Sequence, residues 1–165
     1  MKPYKQEREE KYIIDFIKRR TSSVSRYAET FEQLSEAIKQ TGTAFIFWGD
    51  EFDPMFNLYE SANKDFMDHQ FFHTPSEEFK AKTKADDDVR FTVLKAFDEK
   101  VAHFTEELSE EALIEFFNSH SHPKFVDIGD KYMKIIFGDF TDAVFLIRNK
   151  GDESERAIEA MKQVQ

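Results

Sequence analysis

Apolar positions along the chain switch between a helical period and a strand period, and the switches mark its elements. Between Gln6 and Arg20, the residues Tyr12, Ile13, Phe16 and Ile17 fall at helical spacing, which predicts an amphipathic helix. Val24–Tyr27 is a short strand candidate. Thr30 and Gln33 then form a capping-box pair ahead of a stripe made by Phe31, Leu34, Ala37 and Ile38. Gly42 closes that helix, and the almost continuous apolar run Thr43–Trp48 reads as a strand covered on both faces. Asp53-Pro54 predicts the next helix start, a side-chain acceptor followed by a ring with no amide to satisfy, with the stripe continuing to Phe66 and Met67.

Gln70–His73 reads as a strand, and Thr74-Pro75, with Glu77 as box partner, opens a further helix. Arg90–Lys95 and Lys100–Phe104 form a hairpin around Asp98-Glu99. Ser109 caps a last helix with Glu110 and Glu111 in its first turn, where carboxylates oppose the helix dipole favourably. The order from Val24 is β-α-β-α-β-α-β-β-α. After His122-Pro123 a β-α-β-α pattern begins again: Phe125–Ile128, Asp130–Phe137, Asp142–Ile147 and Asp152–Val164.

Composition narrows the chemistry. Phenylalanine supplies 19 of 165 residues, enough large rings for a dense core without cross-links. The net charge of −10 divides into +3 over residues 1–20, where seven Lys/Arg meet four Asp/Glu, and −13 beyond them. One short basic helix in an acidic chain is a poor nucleic-acid surface, so no nucleic-acid partner is expected. No run approaches the roughly 20 apolar residues of a membrane span, so no membrane partner is expected. Cysteine is absent, which excludes thiolate catalysis and disulfide exchange. The opening MKPYKQEREEKY is charged rather than apolar and does not read as a secretory signal, so the chain is expected to be cytosolic or a piece of something longer.

The element order is that of the thioredoxin fold, a central mixed sheet flanked by helices, followed by a partial second unit of the same kind. The wording of the chain narrows the resemblance. Phe91–Asp98 (FTVLKAFD), then a Ser-Glu-Glu helix ending in Phe116-Phe117, resembles the close of the b domain of protein disulfide isomerases. Asp50–Tyr59 is similar to the acid-rich strand-to-helix turn of b domains. Ser121–Pro123, Phe125–Ile128 and Lys134–Asp139 (KIIFGD) resemble the linker and opening of the b′ domain. Tyr4, Arg8, Ile13 and Phe16 resemble the closing helix of a catalytic a domain.

The resemblance implies three regions: 1–20 as the end of a, 21–121 as a complete b domain, and 122–165 as the first half of b′. Catalytic members carry Cys-x-x-Cys where the first long helix begins; here that stretch, Gly49–Pro54, has no thiol. They also carry a cis-proline before the hairpin, and residues 81–92 contain no proline. The resemblance therefore implies no catalytic residues, no cofactor and no enzymatic activity in this chain, within a parent that is a disulfide isomerase. It implies work by contact: spacing flanking catalytic thioredoxin domains and binding unfolded or partly folded client polypeptides, in the endoplasmic reticulum lumen. The family's peptide pocket maps without gaps onto Ile128, Met133 and Phe137, all apolar, with the last two on one helix face. A half-built b′ leaves a sheet edge open, so it is expected to be loosely ordered, docked on b, or completed by a second copy in a homodimer.

A calsequestrin-like, low-affinity calcium-binding protein is the alternative from another class. Storage proteins of that kind gather carboxylates in long blocks, whereas 23 Lys/Arg are interleaved here with 33 Asp/Glu. The acidic loops Asp86-Asp87-Asp88 and Gly151–Glu155 lack the alternating ligands and closing glutamate of a calcium loop. His69 and His73 straddle a helix end and a strand with no third ligand indicated, so no metal site is expected there. His120 and His122 lie in the interdomain linker and read the same way, although two titrating imidazoles there could tune domain orientation.

Overall fold

Why each element starts and stops where it does is visible in the local hydrogen bonds of a computed structural model, which describes residues 23–64, 66, 68–126, 133, 145 and 156–160. Helix α1 (Phe31–Thr41) begins at Thr30, where the capping box with Gln33 forms as the sequence predicts. It ends at Gly42, whose φ of 87° is left-handed and whose amide donates to the Ile38 carbonyl at 2.8 Å. Strand β1 is Arg26–Tyr27, β2 is Thr43–Phe47, β3 is Gln70–His73, β4 is Phe91–Lys95 and β5 is Val101–His103.

Two helices start later than expected. Helix α2 (Phe56–Asn63) begins two residues beyond Asp53-Pro54, because the Asp53 side chain accepts from the Met55 amide at 2.9 Å and holds a turn there. It also stops at Asn63, short of the expected Phe66 and Met67. Helix α3 (Glu77–Lys82) is capped by Ser76, whose hydroxyl accepts from Phe79, while the Thr74 hydroxyl accepts from the Ser76 amide instead. Helix α4 (Glu110–His120) is capped by Ser109 as predicted.

The five strands form one sheet in the order β1-β3-β2-β4-β5. β2 lies parallel to β3, with Phe45 beside Phe71, and antiparallel to β4, with Phe45 beside Val93. β1 runs parallel to β3 and β5 antiparallel to β4. Alternate residues of β2 feed opposite cores. Phe45 and Phe47 join an aromatic core with Tyr59 of α2 and Leu113 and Phe117 of α4. Ala44, Ile46 and the following Trp48 join a more aliphatic core with Leu34 and Ala37 of α1 and Phe79 of α3.

The chain divides into two compact units, Met1–His122 and Pro123–Gln165. In the second, residues 156–160 and Met133 are helical, while Phe125, Val126 and Phe145 belong to no strand. The rest of the expected β-α-β-α pattern, and the expected helix over Gln6–Arg20, lie outside the described residues.

The short β1 is tied down by side chains. Glu60 of α2 accepts from the Val24 and Ser25 amides, each at 2.9 Å. Ser25 Oγ lies 2.9 Å from His73 Nδ1. Half-burial pushes the Glu60 carboxyl up, but bonds from Ser25, Val24 and Asn63 outweigh it and hold the group below the usual range. Burial pushes His73 below the ordinary histidine value, against the opposing pull of Glu60, Glu51 and Asp50. Both folded values are depressed, so each contribution is complete above the unfolded value and is lost as pH falls through the folded one. Thermal melting should therefore decline first below about pH 6.5 and again below about pH 4.3. Glu60→Gln should flatten the lower step; an unchanged acid limb would show that this carboxylate does not hold β1.

Candidate functional site

The ends of three strands meet at one edge of the sheet. β2 delivers Trp48 and Gly49 there, β3 delivers Thr74 and Pro75, and the antiparallel β4 starts there after Arg90. The Trp48 amide donates to the Arg90 carbonyl at 2.9 Å, and the Thr74 amide to the Phe47 carbonyl at 3.0 Å, so these ends are fixed to one another. Between them lies an open groove of about 470 Å³, walled by Trp48, Pro75 and Arg90 and by the turn leading into α2. Clefts at the carboxyl ends of parallel strands are where α/β sheets place ligands.

The turn is rigid for local reasons. Asp50 Oδ1 accepts from the Phe52 amide at 2.9 Å, and the Asp53 amide donates to the Asp50 carbonyl at 3.2 Å. With the Asp53–Met55 bond, the two aspartates use their side chains to replace the hydrogen bonds of a helical turn. Gly49 is required here: a Cβ at this position would stand 2.7 Å from the Phe47 ring. Phe52 projects at the tip of the turn with 85% of its surface exposed.

Arg90 Nη1 lies 3.5 Å from Asp53 Oδ2 and donates to the Trp48 carbonyl at 3.5 Å. Asp50 and Glu77 add carboxylates to the same groove. Below, the buried Trp48 indole donates to Thr92 Oγ1 at 2.7 Å, and Thr92 Oγ1 lies 3.0 Å from His103 Nδ1. Burial depresses the His103 pKa, against Asp86 and a Thr83 backbone bond. The site offers an acidic rim, one guanidinium and an exposed ring. It offers no thiol, since the chain has no cysteine and hence no redox-active Cys-x-x-Cys.

Residues 49–165 match the sequence profile of a family described as a thioredoxin-like domain. The chain belongs to the thioredoxin-like domain family. The turn Gly49–Pro54 is the stretch at which the disulfide isomerase resemblance implies a Cys-x-x-Cys in catalytic members, and it holds no cysteine. Among solved structures, 27 chains match, one of them a crystal structure of human ERp44. The two superpose with a TM-score of 0.53 at 9% identity, over 83% of this chain and 38% of that one. The chain thus spans well under half the length of that structure, and at such low identity the likeness shows the fold alone. No curated protein matches the sequence.

Of the three residues in the expected b′ pocket, Met133 is helical and 40% exposed, while Ile128 and Phe137 lie outside the described residues. The histidines have structural company. His69 Nδ1 lies 3.0 Å from Thr43 Oγ1, with its ring edge-on to Phe45 and 5.5 Å from His122. His120 packs against Phe116 with its Nδ1 3.1 Å from Lys95 Nζ. Among the described residues no group of three or more His, Asp or Glu is placed to hold a metal ion, and no helix is long and apolar enough to cross a membrane. Sequence reasoning noticed the Gly49–Pro54 turn but not Phe52, Pro75 or Arg90 as its partners. A single phenylalanine among acids and proline was the available signal.

Proposed function

We propose that this chain is a non-catalytic segment of a disulfide isomerase-type protein, spacing catalytic thioredoxin domains and binding unfolded polypeptide. Its place of work would be the endoplasmic reticulum lumen. One observation carries the reading: the turn where catalytic relatives hold two thiols is occupied by Asp50, Phe52 and Asp53, with Asp53 facing Arg90. Such a turn can position a partner but cannot exchange electrons with it. In this reading residues 1–20, 21–121 and 122–165 are the end of an a domain, a b domain and the start of a b′ domain. Ile128, Met133 and Phe137 would line the b′ pocket, where a thioether adapts to varied side chains.

Amide-resolved NMR titration of the full chain with reduced, unfolded client peptides tests it. Saturable shifts in the millimolar range, together with no turnover in an insulin-reduction assay, are expected. No shift at millimolar peptide would overturn the binding role. A large calcium-driven rise in melting temperature would instead favour the calcium-storage class.

A further inference from the structure

We infer that the groove of the first unit, between the Gly49–Pro54 turn, Pro75 and Arg90, docks a basic stretch of extended polypeptide with Phe52 as its apolar anchor. The inference rests on the polypeptide-binding reading above and assigns it a second, separate surface and a charge preference.

Three observations meet here. Phe52 has the greatest exposure of the large hydrophobic residues described; Tyr27 follows at 52%. Its backbone amide is held by the Asp50 side chain, and the next turn by Asp53, so the backbone that carries the ring is ordered before binding. The space beside it, about 470 Å³, falls within the usual range of ligand pockets and opens to solvent along its length.

Charge then selects the occupant. Asp50, Asp53 and Glu77 line the groove, and Arg90 is already engaged by Asp53 and the Trp48 carbonyl. The surplus of carboxylates on a chain of net charge −10 attracts a cation and repels an acidic segment. A lysine or arginine of the incoming chain can extend along the groove to Asp50 or Glu77 while a neighbouring apolar side chain covers Phe52. A bare metal ion would leave the ring exposed, and an acidic peptide would meet the rim charge unpaired.

The test uses the full chain and two short synthetic peptides of equal apolar content, one carrying lysines and the other glutamates at the same positions. The lysine peptide should bind about tenfold more tightly, and its affinity should fall as salt rises. Its amide shifts should centre on Asp50–Asp53, Pro75's neighbours and Arg90. Phe52→Ser should weaken it by about five- to tenfold with an unchanged melting temperature. The double replacement D50N/E77K, which keeps an acceptor for the Phe52 amide, should erase the preference between the two peptides. Equal affinity for both, or a Phe52→Ser variant that binds as well as the parent, would overturn the inference. So would lysine-peptide shifts confined to residues 123–165, an outcome that would leave the polypeptide-binding reading standing. Absence of any peptide binding would remove both.

Discussion

Phe45→Ala is expected to lower the unfolding free energy by about 3–5 kcal/mol. Phe45 is fully buried at the centre of β2, its ring stacked on Phe71 at 5.0 Å and edge-on to Phe117 at 5.0 Å. Both neighbours on the sheet, Phe71 and Val93, are fixed by ladders on either side, so the surroundings can relax only a little into the hollow. A loss of this size is a large part of the total stability of an ordinary domain. Urea unfolding should show a markedly lower midpoint with an unchanged slope. A loss under about 1 kcal/mol would mean that α4 does not pack on β2 as described.

Tyr59→Phe should cost about 1–3 kcal/mol, although it removes a single oxygen. The ring is fully buried, and its hydroxyl lies 3.1 Å from the Phe45 carbonyl and 3.0 Å from the Phe72 carbonyl. One hydrogen thereby links α2 to two adjacent strands. Burial, and then the Glu60 charge, push the phenol well above its ordinary value, against the Phe72 bond, so it stays a donor in alkali. A raised folded value means the contribution is whole below about pH 10 and is lost as pH rises past it. The phenolate absorbance of Tyr59 should therefore appear only as the chain unfolds. Its appearance in a folded sample would contradict this burial. Because Tyr59 bonds the backbone of Phe45, the double variant should depart from additivity.

The elements legible in the sequence were those whose signal is local. Thr30 with Gln33, and Ser109 with its two glutamates, each name a helix start through bonds made within one turn. The run from Thr43 shows a strand buried on both faces because its two sets of alternate residues enter two different cores. Asp53-Pro54 and Thr74-Pro75 misplaced their helix starts for a shared reason. Several oxygens compete there for few amides: Asp50, Asp53 and Thr74 took turn amides, leaving the caps to later residues. Phe66 continued the apolar period of α2, but the chain had already left the helix at Asn63.

The groove was harder to read. Phe52, Pro75 and Arg90 are far apart along the chain, and only the strand order brings them to one edge. Nothing in the spacing of apolar residues encodes that β2 is flanked by β3 on one side and β4 on the other. Phe52 itself broke the expectation that a ring belongs in the core, which is why its exposure points to binding.

The split of the interior into two unlike halves gives each half its own optical reporter. The lone tryptophan, Trp48, lies on the flank covered by α1 and α3, whereas Tyr59 and the stacked phenylalanines lie on the flank covered by α2 and α4. Indole emission excited at its red edge therefore follows one flank, and near-ultraviolet dichroism below the indole bands weighs toward the other, which holds Tyr59 and most of the buried phenylalanines. If the traces separate during denaturation, one pair of helices has peeled from the sheet while the other still clings to it.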